Sequence, residues 1–177
     1  MLSIVIEKDG FNQIMTSLPS FVSAYESRET LRHIKLEHKA GTGTVTAVAL
    51  DGFIMCKLET PASGNEDFDG IIPVCPRTQA KSVKITIDGD QLVFEHEGLY
   101  TIVYKKINGV FINWRQIIPE NNNQYHICVN PRFLAKALKS VPKNARYVNL
   151  SFGDALHPIL IEDDHGTQML VLPVQVG

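Results

Sequence analysis

One unit, a strand followed by a helix and then three strands, occurs twice along the chain, over residues 1–58 and again over 125–176. No sequence identity links the two copies, so the repeat is one of pattern alone. Each copy pairs one amphipathic helix with a set of strands joined by short turns. That arrangement predicts an α+β fold, rich in antiparallel strands, with two helices packed on one sheet face.

In the first copy, Met1 to Glu7 alternates apolar and polar residues and reads as a strand. Asp9 is the expected N-cap of the helix that follows, whose stripe is Phe11, Ile14, Met15 and Leu18, then Val22 and Tyr25. Pro19 is expected to kink or end it. Strands are expected over Leu31–His38, Thr44–Leu50 and Phe53–Leu58, with Asp51-Gly52 as a tight hairpin turn. Residues 61–70 read as a polar loop and Ile71–Val74 as a short strand. Val83–Ile87, Leu92–His96 and Tyr100–Lys105 form a meander with turns at Asp88-Gly89-Asp90 and Glu97-Gly98.

Residues 120–123 (ENNN) are a polar joint and a candidate boundary. In the second copy, Tyr125–Val129 reads as a strand. Asn130 as N-cap and Pro131 at the first helical position open a helix that runs to about Ser140 and stops before Pro142. Tyr147–Phe152, Ile159–Glu162 and Met169–Val176 complete the set.

The second helix carries the clearest charge signal. Arg132, Lys136 and Lys139 fall at i, i+4 and i+7 and share one face. Phe133, Leu134, Ala137, Leu138 and Val141 are expected on the opposite face. Lys143 and Arg146 follow, and no acidic residue occurs between 130 and 153. The outward residues of the first helix, Asn12, Gln13, Thr16 and Ser20, are uncharged. A net charge of −2 argues against a surface that binds nucleic acid everywhere, but leaves a local basic face open.

Catalytic and metal chemistry find little support. The six histidines show no HxH, HExxH or His-with-Cys spacing, so no cofactor or metal is expected. Glu162-Asp163-Asp164-His165-Gly166 lies between two strands and reads as a solvated turn. Gly41-Thr42-Gly43-Thr44 lacks the lysine and helix of a phosphate loop, and no G-x-S-x-G occurs. Cys56, Cys75 and Cys128 are scattered, with no CxxC pair, and read as reduced, buried packing residues of a cytoplasmic protein. No stretch is long and apolar enough to span a membrane, and the N-terminus lacks a signal-peptide pattern.

Three segments carry a resemblance to a known family. VALDGFIMCKLE (48–59) looks like the strand-turn-strand of the middle domain of bacterial DNA sliding clamps, where an A-T-D-G-H-R-L type run is usual. NGVFINWRQIIP (108–119) is similar to the clamp's G-R-F-P-D-Y-R-R-V-L-P run. VNPRFLAKALKSV (129–141) and IEDDHGTQMLVLPVQV (161–176) resemble the last helix and last hairpin, whose family ending is close to V-M-P-M-R-L. On this reading, residues 1–119 resemble one clamp domain whose second helix is missing, with only Arg77–Ser82 in its place. Residues 120–177 resemble the C-terminal half of another domain, so the chain as a whole looks like a shortened relative of the DNA polymerase III beta subunit.

The resemblance implies a non-enzymatic accessory protein of DNA replication or repair, of the processivity-factor kind. Clamps line their inner surface with basic helices that touch duplex DNA without reading sequence, which here implies Arg132, Lys136, Lys139, Lys143 and Arg146. They also take a short peptide from a polymerase or other partner into an apolar cleft. The matching positions are Leu50, Gly52, Phe53, Ile54 and Met55; Ile112, Gln116 and Ile117; and Leu170, Leu172, Pro173, Val174 and Val176. Phe53, Ile54 and Gln116 stand where the family has polar or basic side chains, as does Gln175, so the partner motif is expected to differ. Clamps close rings through subunit contacts, which implies a homo-oligomer. Two rival readings are an adaptor that keeps the cleft without encircling DNA, and a small hydrolase using scattered carboxylates, which a strongly shifted pKa in a pocket would favour.

Overall fold

The structure is a computed structural model that describes residues 2–118 and 126–174. The chain divides into two compact units, Met1–Ile118 and Pro119–Gly177. The 120–123 joint, the strand start at Tyr125 and the tail residues Gln175 and Val176 lie outside the described residues.

The first unit contains β1 (Leu2–Glu7), α1 (Lys8–Ser17), β2 (Ile34–His38), β3 (Thr44–Leu50), β4 (Met55–Ser63), β5 (Phe68–Ile72), β6 (Ser82–Asp88), β7 (Gln91–His96) and β8 (Tyr100–Lys105). The strands form one antiparallel sheet in the order β5-β2-β3-β4-β1-β6-β7-β8. Its centre is a narrow seam, for β1 meets β4 only at Val5↔Ser63 and Ile6↔Ala62. Helix α1 packs over this seam. Phe11, Ile14 and Leu18 are fully buried against Ile4, Ile6, Leu36, Ile85 and Phe94, with the Phe11 and Phe94 rings edge to face at 6.4 Å. Each of those side chains contributes about 1.5–3 kcal/mol by leaving water. The close approach requires Gly10, since a Cβ there would overlap the Thr60 side chain.

Local signals err where tertiary contacts intervene. The helix ends at Ser17, and Pro19–Phe21 continues only as a 3-10 turn, leaving Tyr25 exposed beyond the stripe. Glu7, not Asp9, occupies the N-cap position, without a side-chain cap. Residues Glu29–Arg32 form a 3-10 turn, so β2 begins at Ile34 rather than Leu31. Strand β4 runs on through Pro61 to Ser63, where a polar loop is expected, because β3 offers a partner as far as Thr44↔Pro61. Proline is tolerated there because β1 reaches β4 only at Ala62 and Ser63. Residues 73–81 carry no helix. Asn12 of α1 grips that segment reciprocally, its Nδ2 donating to Thr78 O at 3.0 Å and its Oδ1 accepting from Thr78 N at 2.7 Å. Asn12 is therefore a tether rather than one of the solvent-facing residues.

The second unit contains α2 (Pro131–Lys139), β9 (Val148–Ser151), β10 (Ile159–Asp163) and β11 (Gln168–Val171), with the sheet order β11-β10-β9. Asn130 caps α2 by accepting from Arg132 N at 2.9 Å, with Pro131 in the first turn. The core is small: Ile159, Ile161 and Val171, joined by Ile127, Val129, Leu134, Ala137, Val148 and Met169. Val129 contributes a single bridge, to Pro173, where a longer strand is expected.

Candidate peptide-binding surface and basic helix

The 51–54 turn is built to project side chains. Leu50 and Met55 pair across its base. The Asp51 carboxylate accepts from Phe53 N at 2.8 Å and Ile54 N at 2.9 Å, and these bonds, Ile54's first, hold its pKa below the usual carboxylate range. Gly52 takes φ +101°, and the Arg28 guanidinium donates to Asp51 O at 2.5 Å beside it. The result is a four-residue loop rather than a two-residue hairpin. Phe53 is 82% exposed and Ile54 is also exposed, whereas Leu50 is 2% exposed and belongs to the interior.

Residues 106–118 fold back over the same end of the sheet. Phe111 and Trp114 are buried with Leu31, Val48, Leu50 and Ile71, and Met55 packs against the group. The 50–55 and 112–117 segments thus share one apolar cluster. Trp114 Nε1 donates to Glu37 at 3.4 Å, and the Arg115 guanidinium pairs with the other Glu37 oxygen at 2.5 Å while lying 4.1 Å over the indole ring. Lys57 covers the ring from 5.6 Å. Burial would raise the Glu37 pKa, but the hydrogen bond and charge of Arg115 outweigh it and hold the carboxylate ionised. Ile112, Gln116 and Ile117 stay exposed. Sequence reasoning missed Glu37, Phe111 and Trp114; Trp114 is the one tryptophan of the chain, but nothing local connects it to a carboxylate 77 residues away.

In the second unit, Val171 is core while its neighbours Leu170 and Leu172 point outward, Leu172 at 66% exposure. The strand exit is fixed by the Val129↔Pro173 bridge and by Val174 N donating to Cys128 O at 2.7 Å. Val174 is exposed.

Arg132, Lys136, Lys139, Lys143 and Arg146 are all exposed, and among the described residues none makes an ion pair. The apolar face of α2 is only half used. Leu134 and Ala137 join the core, but Phe133 and Leu138 are exposed, the three strands among the described residues leaving them uncovered. Among the described residues no group of three His, Cys, Asp or Glu side chains is placed to hold a metal ion. Asp163 serves a turn, its Oδ1 accepting from His165 N at 2.8 Å and Thr167 N at 2.9 Å. No helix of the described residues is long and apolar enough to cross a membrane.

The three thiols differ, contrary to the expectation that all are buried: Cys75 is buried, Cys56 half-buried and Cys128 exposed. Burial pushes the Cys75 pKa up to about 12. Labelling the native protein with a disulfide reagent, followed by mass spectrometry, should modify Cys128 first, Cys56 more slowly, and Cys75 only on unfolding. An unfolded Cys75 ionises near 9.0, so its contribution to stability is present below that pH and is lost as pH rises above it.

This is the fold of the bacterial DNA sliding clamps: in each unit, an antiparallel sheet with a helix packed on one face. Among solved structures, the Caulobacter crescentus (C. crescentus) beta sliding clamp matches with a TM-score of 0.77 at 18% identity, over 98% of this chain and 50% of that one. The Bacillus subtilis DNA polymerase sliding clamp matches with a TM-score of 0.77 at 16% identity, over 97% and 48%. The Pseudomonas aeruginosa clamp gives 0.75 at 16%, over 99% and 52%. This chain therefore spans about half the length of the clamps that it matches. No family model matches the sequence, and no curated protein matches it.

Proposed function

We propose that this protein is a clamp-like accessory factor of DNA replication or repair that works by binding rather than by catalysis. In this reading, residues 1–119 correspond to one clamp domain without its second helix, and 120–177 to the C-terminal half of another. A partner, a polymerase or another clamp-binding protein, supplies an extended peptide with leucine- or phenylalanine-type anchors. The residues proposed to take its anchors are Phe53, Ile54, Met55, Ile112 and Ile117 in the first unit, over the buried Leu50 and beside Gly52 and Gln116, and Leu170, Leu172, Pro173 and Val174 in the second. Helix α2 and its flank contact duplex DNA through phosphates, without sequence preference.

The observation that carries this reading is the exposure of large apolar side chains at the clamp-like segments of a clamp fold. Phe53, Ile54, Ile112, Ile117, Leu170 and Leu172 all face solvent although packing could have hidden them. Titration with a fluorescent peptide bearing leucine and phenylalanine anchors should give saturable binding, and Leu172→Asp should remove it, since a carboxylate cannot be buried unpaired. Leu172 is exposed, so the variant should keep its circular dichroism and melting transition. Undiminished binding by the Leu172→Asp protein would exclude the last strand from the site.

A further inference from the structure

The first unit shows how a half-module of this fold is completed. It consists of two halves with the same strand order, β1-α1-β2-β3-β4 and β5 through β8, and the halves exchange their first strands. Strand β5 leaves its own half to pair with β2, from Ile34↔Ile72 to His38↔Phe68. Strand β1 pairs with β6 along its whole length, from Leu2↔Ile87 to Glu7↔Ser82, and touches its own β4 only at two positions.

The second unit is one such half. Val129 bridges to Pro173 as Ile6 pairs with Ala62, and α2, β9, β10 and β11 follow in the order of α1, β2, β3 and β4. Among the described residues two edges are then open. Strand β9, the counterpart of β2, has only β10 beside it. Residues 127–129, the counterpart of β1, are joined only to 173–174, through the Val129↔Pro173 bridge and the hydrogen bond from Val174 N to Cys128 O.

Burial points to the same place. Leu150 pairs with Ile161 across β9 and β10, so both face α2. Ile161 is fully buried, as are Ile34 and Leu36 on β2, yet Leu150 is 47% exposed. Phe152, two residues on, is 56% exposed, and Leu138 on α2 is 43% exposed. An unpaired strand edge beside uncovered apolar residues invites strand addition.

We propose that two copies of this chain associate through their second units, each placing residues 126–130 antiparallel against the other's β9. The two half-modules then complete one eight-stranded sheet like that of the first unit, with their α2 helices side by side over it. A second copy is the fitting occupant because the two open edges are complementary and lie on the same unit. A two-fold axis satisfies both at once, as the exchange of β1 and β5 does within the first unit.

Sedimentation velocity of the full chain over a wide concentration range, with hydrogen exchange on 148–151, tests it. The expected result is a species of twice the chain mass, with exchange at 148–151 slowed as that species forms. Leu150→Arg and, separately, Phe152→Glu should restore the monomer mass while circular dichroism and exchange in the first unit stay unchanged. A monomer at every concentration overturns the proposal, as it would leave the open edge to a different protein. So does a dimer that either variant leaves intact, or one whose 148–151 amides exchange as fast as the monomer's. Unfolding of the second unit by both variants would make Leu150 and Phe152 packing residues of the monomer, and also counts against it.

Discussion

Trp114→Ala should lower the stability of the first unit by about 3–5 kcal/mol, the usual loss for removing a large buried aromatic. The indole is buried among Leu31, Val48, Leu50, Ile71 and Phe111, so truncation leaves a cavity lined by apolar atoms. It also frees Glu37 from its Nε1–H donor and removes the ring beneath Arg115 and Lys57. The second loss is smaller, since Arg115 is mostly exposed and its pair with Glu37 is screened by water. The core around α1 is a separate cluster and should remain. Denaturant unfolding should therefore show a lower midpoint, and hydrogen exchange should quicken first over 107–118. A change under about 0.5 kcal/mol, the level of an ordinary surface substitution, would mean that this segment is held by other contacts. Peptide affinity should fall alongside stability, because Ile112 and Ile117 flank the anchor.

Replacing Lys136 and Lys139 together by Glu should abolish binding to duplex DNA without unfolding the protein. Both side chains are exposed and unpaired among the described residues, so no ion pair is lost. Two attractive charges become two repulsive ones on the helix face that also carries Arg132, shortly before Lys143 and Arg146 in the chain. For the unaltered chain, binding should be weak and indifferent to sequence. Its logarithm should fall with the logarithm of salt concentration by about 0.9 for each phosphate neutralised. Fluorescence anisotropy on duplexes of unrelated sequence, at several salt concentrations, reads both effects. Tight preference for one sequence, or binding that survives the double reversal, would remove α2 from the interface.

These expectations rest unequally on what could be read before the fold was known. The basic stripe of α2 and its Asn130-Pro131 start were legible, because capping and helical periodicity are decided within a few residues. The outward turn at 51–54 was legible in part: Asp51-Gly52 signalled a turn, while the pairing of Leu50 with Met55 set its length. The support beneath it was not legible. Trp114 meets Glu37 only because β2 and the 106–118 segment converge, and no local propensity specifies a partner 77 residues distant.

By itself, the sequence determined the features fixed by backbone stereochemistry. Gly52, Gly89, Gly98 and Gly166 sit where φ is positive, and each marks a turn that could be anticipated. It also determined the alternation that makes β2 bury Ile34, Leu36 and His38 while turning Lys35 and Glu37 to the other face. Tertiary structure alone decided which edges met. It carried β4 past Pro61, divided the three thiols into buried, half-buried and exposed, and left Phe133 and Leu138 of a well-formed amphipathic stripe in water. The reason is physical. A helix or turn is selected by interactions among near neighbours, whereas burial depends on whether a distant surface arrives to cover a side chain, and among the described residues of the second unit the sheet is three strands wide.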